Sequence, residues 1–273
     1  MNRVKLYQNG SEFYQDNTFI LDEYPLDTSF MLLNSKTLSE FSKESYAFKA
    51  YNDKSYLLVL RLAPFATVVF GDKNLCAEAV KTVIKYNLNV NKMLTSKDLY
   101  ITFYNLYIKK MAGSYLVHHE MDIMFATNCN DVDTSMVKRA SSLDINKILV
   151  LEEMFSKEID MDNGLTKTER IKKIETSIHD YYYVERDNQI VSIAKKTRNE
   201  EKICAISCVY TKPEYRRFGY SRKVVTQITK EILNEHKIAY LYVDKKNPIS
   251  NHLYTSIGYN YGNAKYEVSL SLI

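Results

Sequence analysis

Residues 212 to 221 read Lys-Pro-Glu-Tyr-Arg-Arg-Phe-Gly-Tyr-Ser, between an apolar run ending at Thr211 and an amphipathic run beginning near Ser221. The stretch suits an anion. Pro213 stops a strand, Gly219 can take φ > 0 so that successive amide N–H groups converge, and a helix N-terminus adds the positive end of its dipole. Arg216, Arg217, Arg222 and Lys223 surround it with cations, and arginine's planar fork matches phosphate oxygens. A pyrophosphate fits this pattern; taken alone, so does an ordinary strand-to-helix turn with exposed basic side chains.

A second stretch, Asn247-Pro-Ile-Ser-Asn-His-Leu-Tyr-Thr-Ser-Ile-Gly-Tyr, follows the next strand and places Tyr254 one helical turn after Ser250. Asn247 and Tyr254 then lie near the C-terminal edges of neighbouring parallel strands, where a bound ligand presents its reactive end. Taken singly, Tyr254 also reads as a core aromatic and Asn247 as a helix cap. His118 and His119 alternate across a strand, so no metal pair is expected there.

These residues need elements to hold them. Asn128 to Asp133 is a polar break, taken as the boundary between residues 1–133 and 134–273. Upstream, Leu38 to Glu44 reads as helix, Tyr46 to Tyr51 and Ser55 to Phe70 as strands broken at Pro64, and Leu75 to Tyr86 as an amphipathic helix. Leu99 to Met111 fits helix or strand, and Tyr115 to Phe125 reads as strand. Downstream come a short strand at Met136 to Ala140, a helix capped by Ser141 or Ser142, and a helix from Thr166 to Ile178. A hairpin follows (Tyr181 to Glu185, Ile190 to Lys195), then a strand at Ile203 to Thr211 and a helix from about Ser221 to Asn234. The strand Ile238 to Val243, a helix from Asn251 to Ile257 and a strand at Tyr266 to Leu272 complete the order. This order predicts a mixed, mostly antiparallel sheet whose centre holds two parallel strands joined by a helix.

The 273 residues include 45% hydrophobic and 26% charged, with a mean hydropathy of -0.33, which excludes disorder and fibrous repeats. Cys76, Cys129, Cys204 and Cys208 are too scattered for a disulfide framework, and no signal peptide or membrane span is evident, so a cytoplasmic protein is expected. Residues 1–133 carry 14 basic and 15 acidic residues and the remainder 23 and 18, a net −1 and +5. That directs the search for an anion to the second half, and the excess is too small for a nucleic-acid partner.

Taken together and in order, the two stretches resemble the GNAT superfamily of N-acetyltransferases. Arg216-Arg-Phe-Gly219-Tyr-Ser221 matches its Arg/Gln-x-x-Gly-x-Gly/Ala motif with a serine in the last place. Asn247, Leu253, Tyr254, Gly258 and Tyr259 match its later motif, with Ser250 in the alanine place. The resemblance covers about residues 134 to 273 and implies an α/β acyl-CoA N-acyltransferase fold. It further implies acetyl-CoA as co-substrate, without a metal, in the opening between the strands Ile203 to Thr211 and Ile238 to Val243. Val209, Tyr210 and Thr211 would line the pantetheine arm. Arg216, Arg217, Phe218, Gly219, Tyr220, Ser221 and Arg222 would hold the pyrophosphate, and Asn247 and Ser250 the pantetheine or the helix start. Tyr254 would protonate the departing thiolate while an amine acceptor attacks directly. Relatives often carry a Glu on the strand before the pyrophosphate loop, and Ile203 to Thr211 has no carboxylate; Glu200, Glu201, His179 or water remain as bases. A non-catalytic CoA-binding module is the rival reading. The first half loosely echoes the same fold without the anion loop, and is expected to wall the acceptor pocket or form a homodimer contact.

Overall fold

The computed structural model describes residues 1–159 and 164–272 and divides into two compact units. Unit 1 comprises Met1–Ile123, Val243–Lys246 and the stretch from Gly262; unit 2 comprises Met124–Tyr242 and Asn247–Tyr261. The units are therefore not the two contiguous halves 1–133 and 134–273: residues 124–133 group with the second half, and the closing strand groups with the first.

In chain order the elements are β1 (Arg3–Tyr7), α1 (Gly10–Glu23), α2 (Ser29–Ser35), β2 (Tyr46–Tyr51), β3 (Tyr56–Arg61), β4 (Thr67–Gly71), α3 (Cys76–Tyr86), β5 (Lys92–Thr95), α4 (Lys97–Met111) and β6 (Gly113–Ala126). Then follow β7 (Val137–Arg139), α5 (Ile145–Glu158), α6 (Lys167–Thr176), β8 (Tyr181–Arg186), β9 (Gln189–Thr197), β10 (Ile203–Thr211), α7 (Tyr220–Asn234), β11 (Ile238–Asp244), α8 (Pro248–Ile257) and β12 (Asn260–Leu272).

In unit 1 the strands run β1-β2-β3-β4-β5-β12-β6. β1 to β4 form an antiparallel meander, β4 pairs with β5 in parallel, and β12 pairs antiparallel with β5 through Tyr266↔Thr95 and Val268↔Met93. Phe48, Leu57 and Val59 of the sheet meet Val80 and Val83 of α3 and Tyr100, Phe103 and Tyr104 of α4 in one core. Residues 38–44 are not helical, contrary to expectation. The Leu38 carbonyl accepts from Gly10 N at 2.8 Å, and Ser42 and Ser45 close their own turn, with Ser45 N donating to Ser42 Oγ at 2.9 Å.

In unit 2 the order is β11-β10-β9-β8-β7. Strand alternation aims Tyr181 and Tyr183 into a cluster with Ile148, Leu149 and Leu151 of α5 and Ile174 of α6. Tyr182 turns the other way, toward α7, where its hydroxyl donates to Glu231. The sheet is thus covered on both faces. The β8–β9 hairpin closes through Asp187 and Asn188, both at positive φ, the two-residue turn that matches strand twist. α6 stops at Thr176, short of the expected Ile178, and Ser141 rather than Ser142 opens the first helical turn, in a reciprocal cap with Asp144.

Candidate active site

β10 and β11 are parallel partners only through Ile203↔Ile238, Cys204↔Ala239 and Ala205↔Tyr240. Beyond Ala205, β10 continues on β9 but its register shifts between Ser207 and Tyr210, and Cys208 takes φ 52°. This bulge bends the strand where the parallel pairing ends. Val209, Tyr210 and Thr211 occupy that stretch, Tyr210 buried and the other two half-buried. Glu200 and Glu201 lie at the opposite, N-terminal end of β10. Eight residues at roughly 3.3 Å each separate Glu201 from Val209, so neither reaches the bulge.

The loop after Thr211 is pinned before it turns into α7. Pro213 opens a single 3₁₀ turn, Lys212 Nζ donates to Gln189 Oε1 at 2.6 Å, and Tyr215 Oη accepts from Gln189 Nε2 at 2.8 Å. Arg217 and Gly219 both have positive φ, 70° and 76°. Gly219 is the N-cap of α7, and no side chain caps that terminus. A Cβ built on Gly219 would meet nothing within 4 Å, so the space before the helix is open. A fifteen-residue helix begins here with its first N–H groups lacking a side-chain acceptor and its dipole aimed outward.

The surrounding cations are more committed than the sequence suggests. Arg216 folds back: its Nε donates to the Thr211 carbonyl at 2.9 Å, its Nη2 pairs with Glu158 of α5, and its guanidinium lies 5.6 Å from the Tyr210 ring. Arg222 Nη2 donates to the Ser256 carbonyl at 3.0 Å, and Lys223 Nζ to the Asp133 carbonyl at 2.8 Å. Among the described residues, Arg217 is the loop cation without such a partner, and it is exposed. Phe218, 66% exposed, stacks on Tyr220 at 5.9 Å, and Arg186 lies over the Tyr220 ring and donates to its hydroxyl at 3.3 Å. Ser221 sits half-buried in the first turn of α7.

α8 starts at Pro248, three residues before the expected Asn251, because Asn247 caps it: the side-chain oxygen accepts from Ser250 N at 3.1 Å. The Arg222 contact ties the last turn of α8 to the first turn of α7. Tyr254, 6% exposed, packs against Tyr259 with ring centroids 6.0 Å apart, and Tyr259 is fixed by a 2.8 Å hydrogen bond to Thr229 of α7. Burial pushes the Tyr254 phenol far above its ordinary value, so it stays protonated at neutral pH. Cys204 is buried in β10 with its thiol pushed up to about 11 by burial, and burial likewise raises Cys208; neither is a ready nucleophile.

One carboxylate near the bulge gave no signal in the sequence. Glu152, on α5, accepts from the Tyr181 hydroxyl. The contact with Tyr181 spans 29 positions, so no local spacing announces it. Among the described residues no three His, Cys, Asp or Glu side chains could share a metal ion, and no helix is long and apolar enough to cross a membrane.

A family model described as FR47-like protein matches residues 187–268. No curated protein matches the chain. The chain resembles a GNAT-family acetyltransferase from Colwellia psychrerythraea at TM-score 0.57 and 12% identity, covering 99% of this chain and 100% of that one. It also resembles a GCN5-related N-acetyltransferase from Sphaerobacter thermophilus at TM-score 0.55 and 12% identity, covering 84% of this chain and 81% of that one. A Drosophila protein superposes at TM-score 0.65 with 9% identity, covering 99% of each chain. With its central parallel pair parting at a bulge and its glycine-led helix behind it, the chain has the mixed α/β acyl-CoA N-acyltransferase fold of the GNAT superfamily.

Proposed function

We propose that unit 2 is an acetyl-CoA-dependent N-acetyltransferase of the cytoplasm, acting by direct attack of an amine in a ternary complex. The observation that carries this reading is the open, uncapped N-terminus of α7 behind Gly219, set where β10 and β11 part. The donors there fit a pyrophosphate, with Arg217 as the available cation and the main chain from Phe218 to Arg222 as the cradle. Val209, Tyr210 and Thr211 are the strand segment for the pantetheine arm. Bound acetyl-CoA supplies a thioester carbonyl open to attack, so the chain needs no nucleophile of its own. Tyr254, neutral because it is buried, holds a proton at Oη for the sulfur that leaves. Asn247 and Ser250 act by building the start of the helix that carries it. In this reading residues 134 onward supply the site.

Calorimetry on the full chain with CoA tests the ligand, and CoA release in the presence of an amine panel tests the reaction. Absence of CoA binding overturns the reading. CoA binding without turnover on any amine favours the non-catalytic module instead.

A further inference from the structure

An amine at neutral pH is mostly ammonium, and its nitrogen has no lone pair until a proton leaves. β10 offers no carboxylate to take that proton, yet the fold brings one to its bulge from α5. Glu152 is half-buried beside Leu151, which is held in the core. The Tyr181 hydroxyl of β8 donates to its carboxylate, and Tyr181 pairs with Lys195 of β9, which in turn pairs with Ser207 at the bulge. Lys195 of β9 donates to Tyr181 Oη at 3.2 Å and to Ser177 Oγ at 2.7 Å, and its ammonium lies 4.5 Å from the Tyr181 ring centroid. Asp180 and Lys173 are the further charged groups acting on this cluster. Burial keeps Tyr181 protonated, so its hydroxyl stays a donor to that carboxylate.

We propose that the Glu152 carboxylate is the proton acceptor for the amine that unit 2 acylates, with Tyr181 holding it and Lys195 bracing Tyr181; this rests on the acetyltransferase reading. Over one cycle the amine nitrogen loses two protons. One passes to Glu152 and on to water before the N–C bond forms; as the C–S bond then breaks, Tyr254 protonates the sulfur and the second proton restores its phenol. Ammonium and thioester thus give amide, thiol and one proton released to solvent.

Glu152→Gln keeps an oxygen that can accept from Tyr181, and Glu152→Asp keeps the charge, so the pair separates proton transfer from packing. The probes are acetyl-CoA with spermidine, glycine, kanamycin and a tripeptide with a free N-terminus, using whichever the wild type acetylates fastest. At about pH 7, Glu152→Gln should lower kcat by roughly a hundredfold or more with CoA Kd within about twofold, and Glu152→Asp should recover part of the rate. The deficit should shrink at higher pH as the free amine deprotonates in solution. Lys195→Met removes a cation, so the acid limb of kcat/KM should move to higher pH. The δ-¹³C resonance of Glu152 in the CoA-bound protein, assigned by its loss in Glu152→Gln, should move with that limb, a readout independent of turnover. Wild-type rates in Glu152→Gln from about pH 6 to about 9, or a resonance that does not follow the limb, overturn the assignment alone. A wild type that binds CoA but acetylates none of the four amines overturns the acetyltransferase reading, and the assignment with it.

Discussion

Units 1 and 2 contain the same corner built for different ends. In each, a strand ends in a short turn, a helix follows, and the next strand returns in parallel: β4, α3 and β5 in one, β10, α7 and β11 in the other. Each corner uses a glycine at positive φ. In unit 1, Gly71 is wedged, since a Cβ would lie 2.3 Å from the Tyr56 carbonyl oxygen, and Asp72 then closes the turn by accepting from Asn74 N at 2.9 Å. In unit 2, Gly219 faces open space and the helix behind it has no side-chain cap. One glycine permits close packing of the main chain; the other stands before open space. The same topology thus has an aspartate closing the turn at one corner and open space before the helix at the other.

The sharpest break in this comparison comes from the proton donor. Tyr254→Phe should lower kcat by roughly tenfold to a thousandfold while leaving CoA affinity unchanged, because the ring still packs on Tyr259. A fully active variant, measured by CoA release with a working amine, would return Tyr254 to the core and give its role to water. Next is Gly219→Glu, which puts a carboxylate into the open anion site and should weaken CoA by more than about tenfold, with weaker binding at higher salt for the wild type. Asp72→Gly, the matching change in unit 1, should leave CoA Kd within about twofold. Calorimetric parity between these two variants would erase the distinction drawn here.

Alanine separates the glycines by stability. Gly71→Ala forces a backbone overlap and should cost about 3 kcal/mol or more, whereas Gly219→Ala pays mainly for positive φ, about 1 kcal/mol. Thermal melts of the two variants should differ accordingly, and equal losses would mean that the open space at Gly219 closes without ligand. The smallest expected effect concerns acid. Asp16 of α1 is partly desolvated, which opposes its charge, but hydrogen bonds from Lys49 at 2.8 Å and Tyr7 at 2.5 Å, with Lys5 at 3.0 Å, hold its carboxyl well below the usual range. A depressed carboxyl stabilises above its unfolded value of about 4 and loses that contribution as pH falls through its folded value. Below about pH 4 the wild type should lose Tm faster than Asp16→Asn, by a few degrees. Parallel pH curves would place the acid sensitivity elsewhere.

Much of unit 2 could be read in advance because its signals are local. β10 falls at the expected residues, and the strand-to-helix loop and the two-residue hairpin announce themselves through glycine, proline, Asp and Asn. α1 was hidden for a physical reason. Its buried stripe of Phe13, Asn17 and Leu21 is interrupted by an asparagine that is 1% exposed and donates to Tyr7 and to the Phe13 carbonyl, so the apolar period is broken. β12 begins at Asn260, earlier than expected, since Asn-Tyr-Gly-Asn looks like a turn until β5 supplies its ladder further along. Arg216 reads as a phosphate ligand until Glu158, 58 positions away, claims it. Partners of that kind have no local spacing to betray them.

The pairing of β12 with β5 has a consequence for how the chain is made. Glu267 lies opposite Leu94, so the first unit cannot finish its sheet until residues far downstream of β5 have been synthesised. During that interval β5 presents a bare edge, the kind of surface that captures strands from other chains. Loop closure over so long a separation is slow, which lengthens the time that this edge stays unpaired.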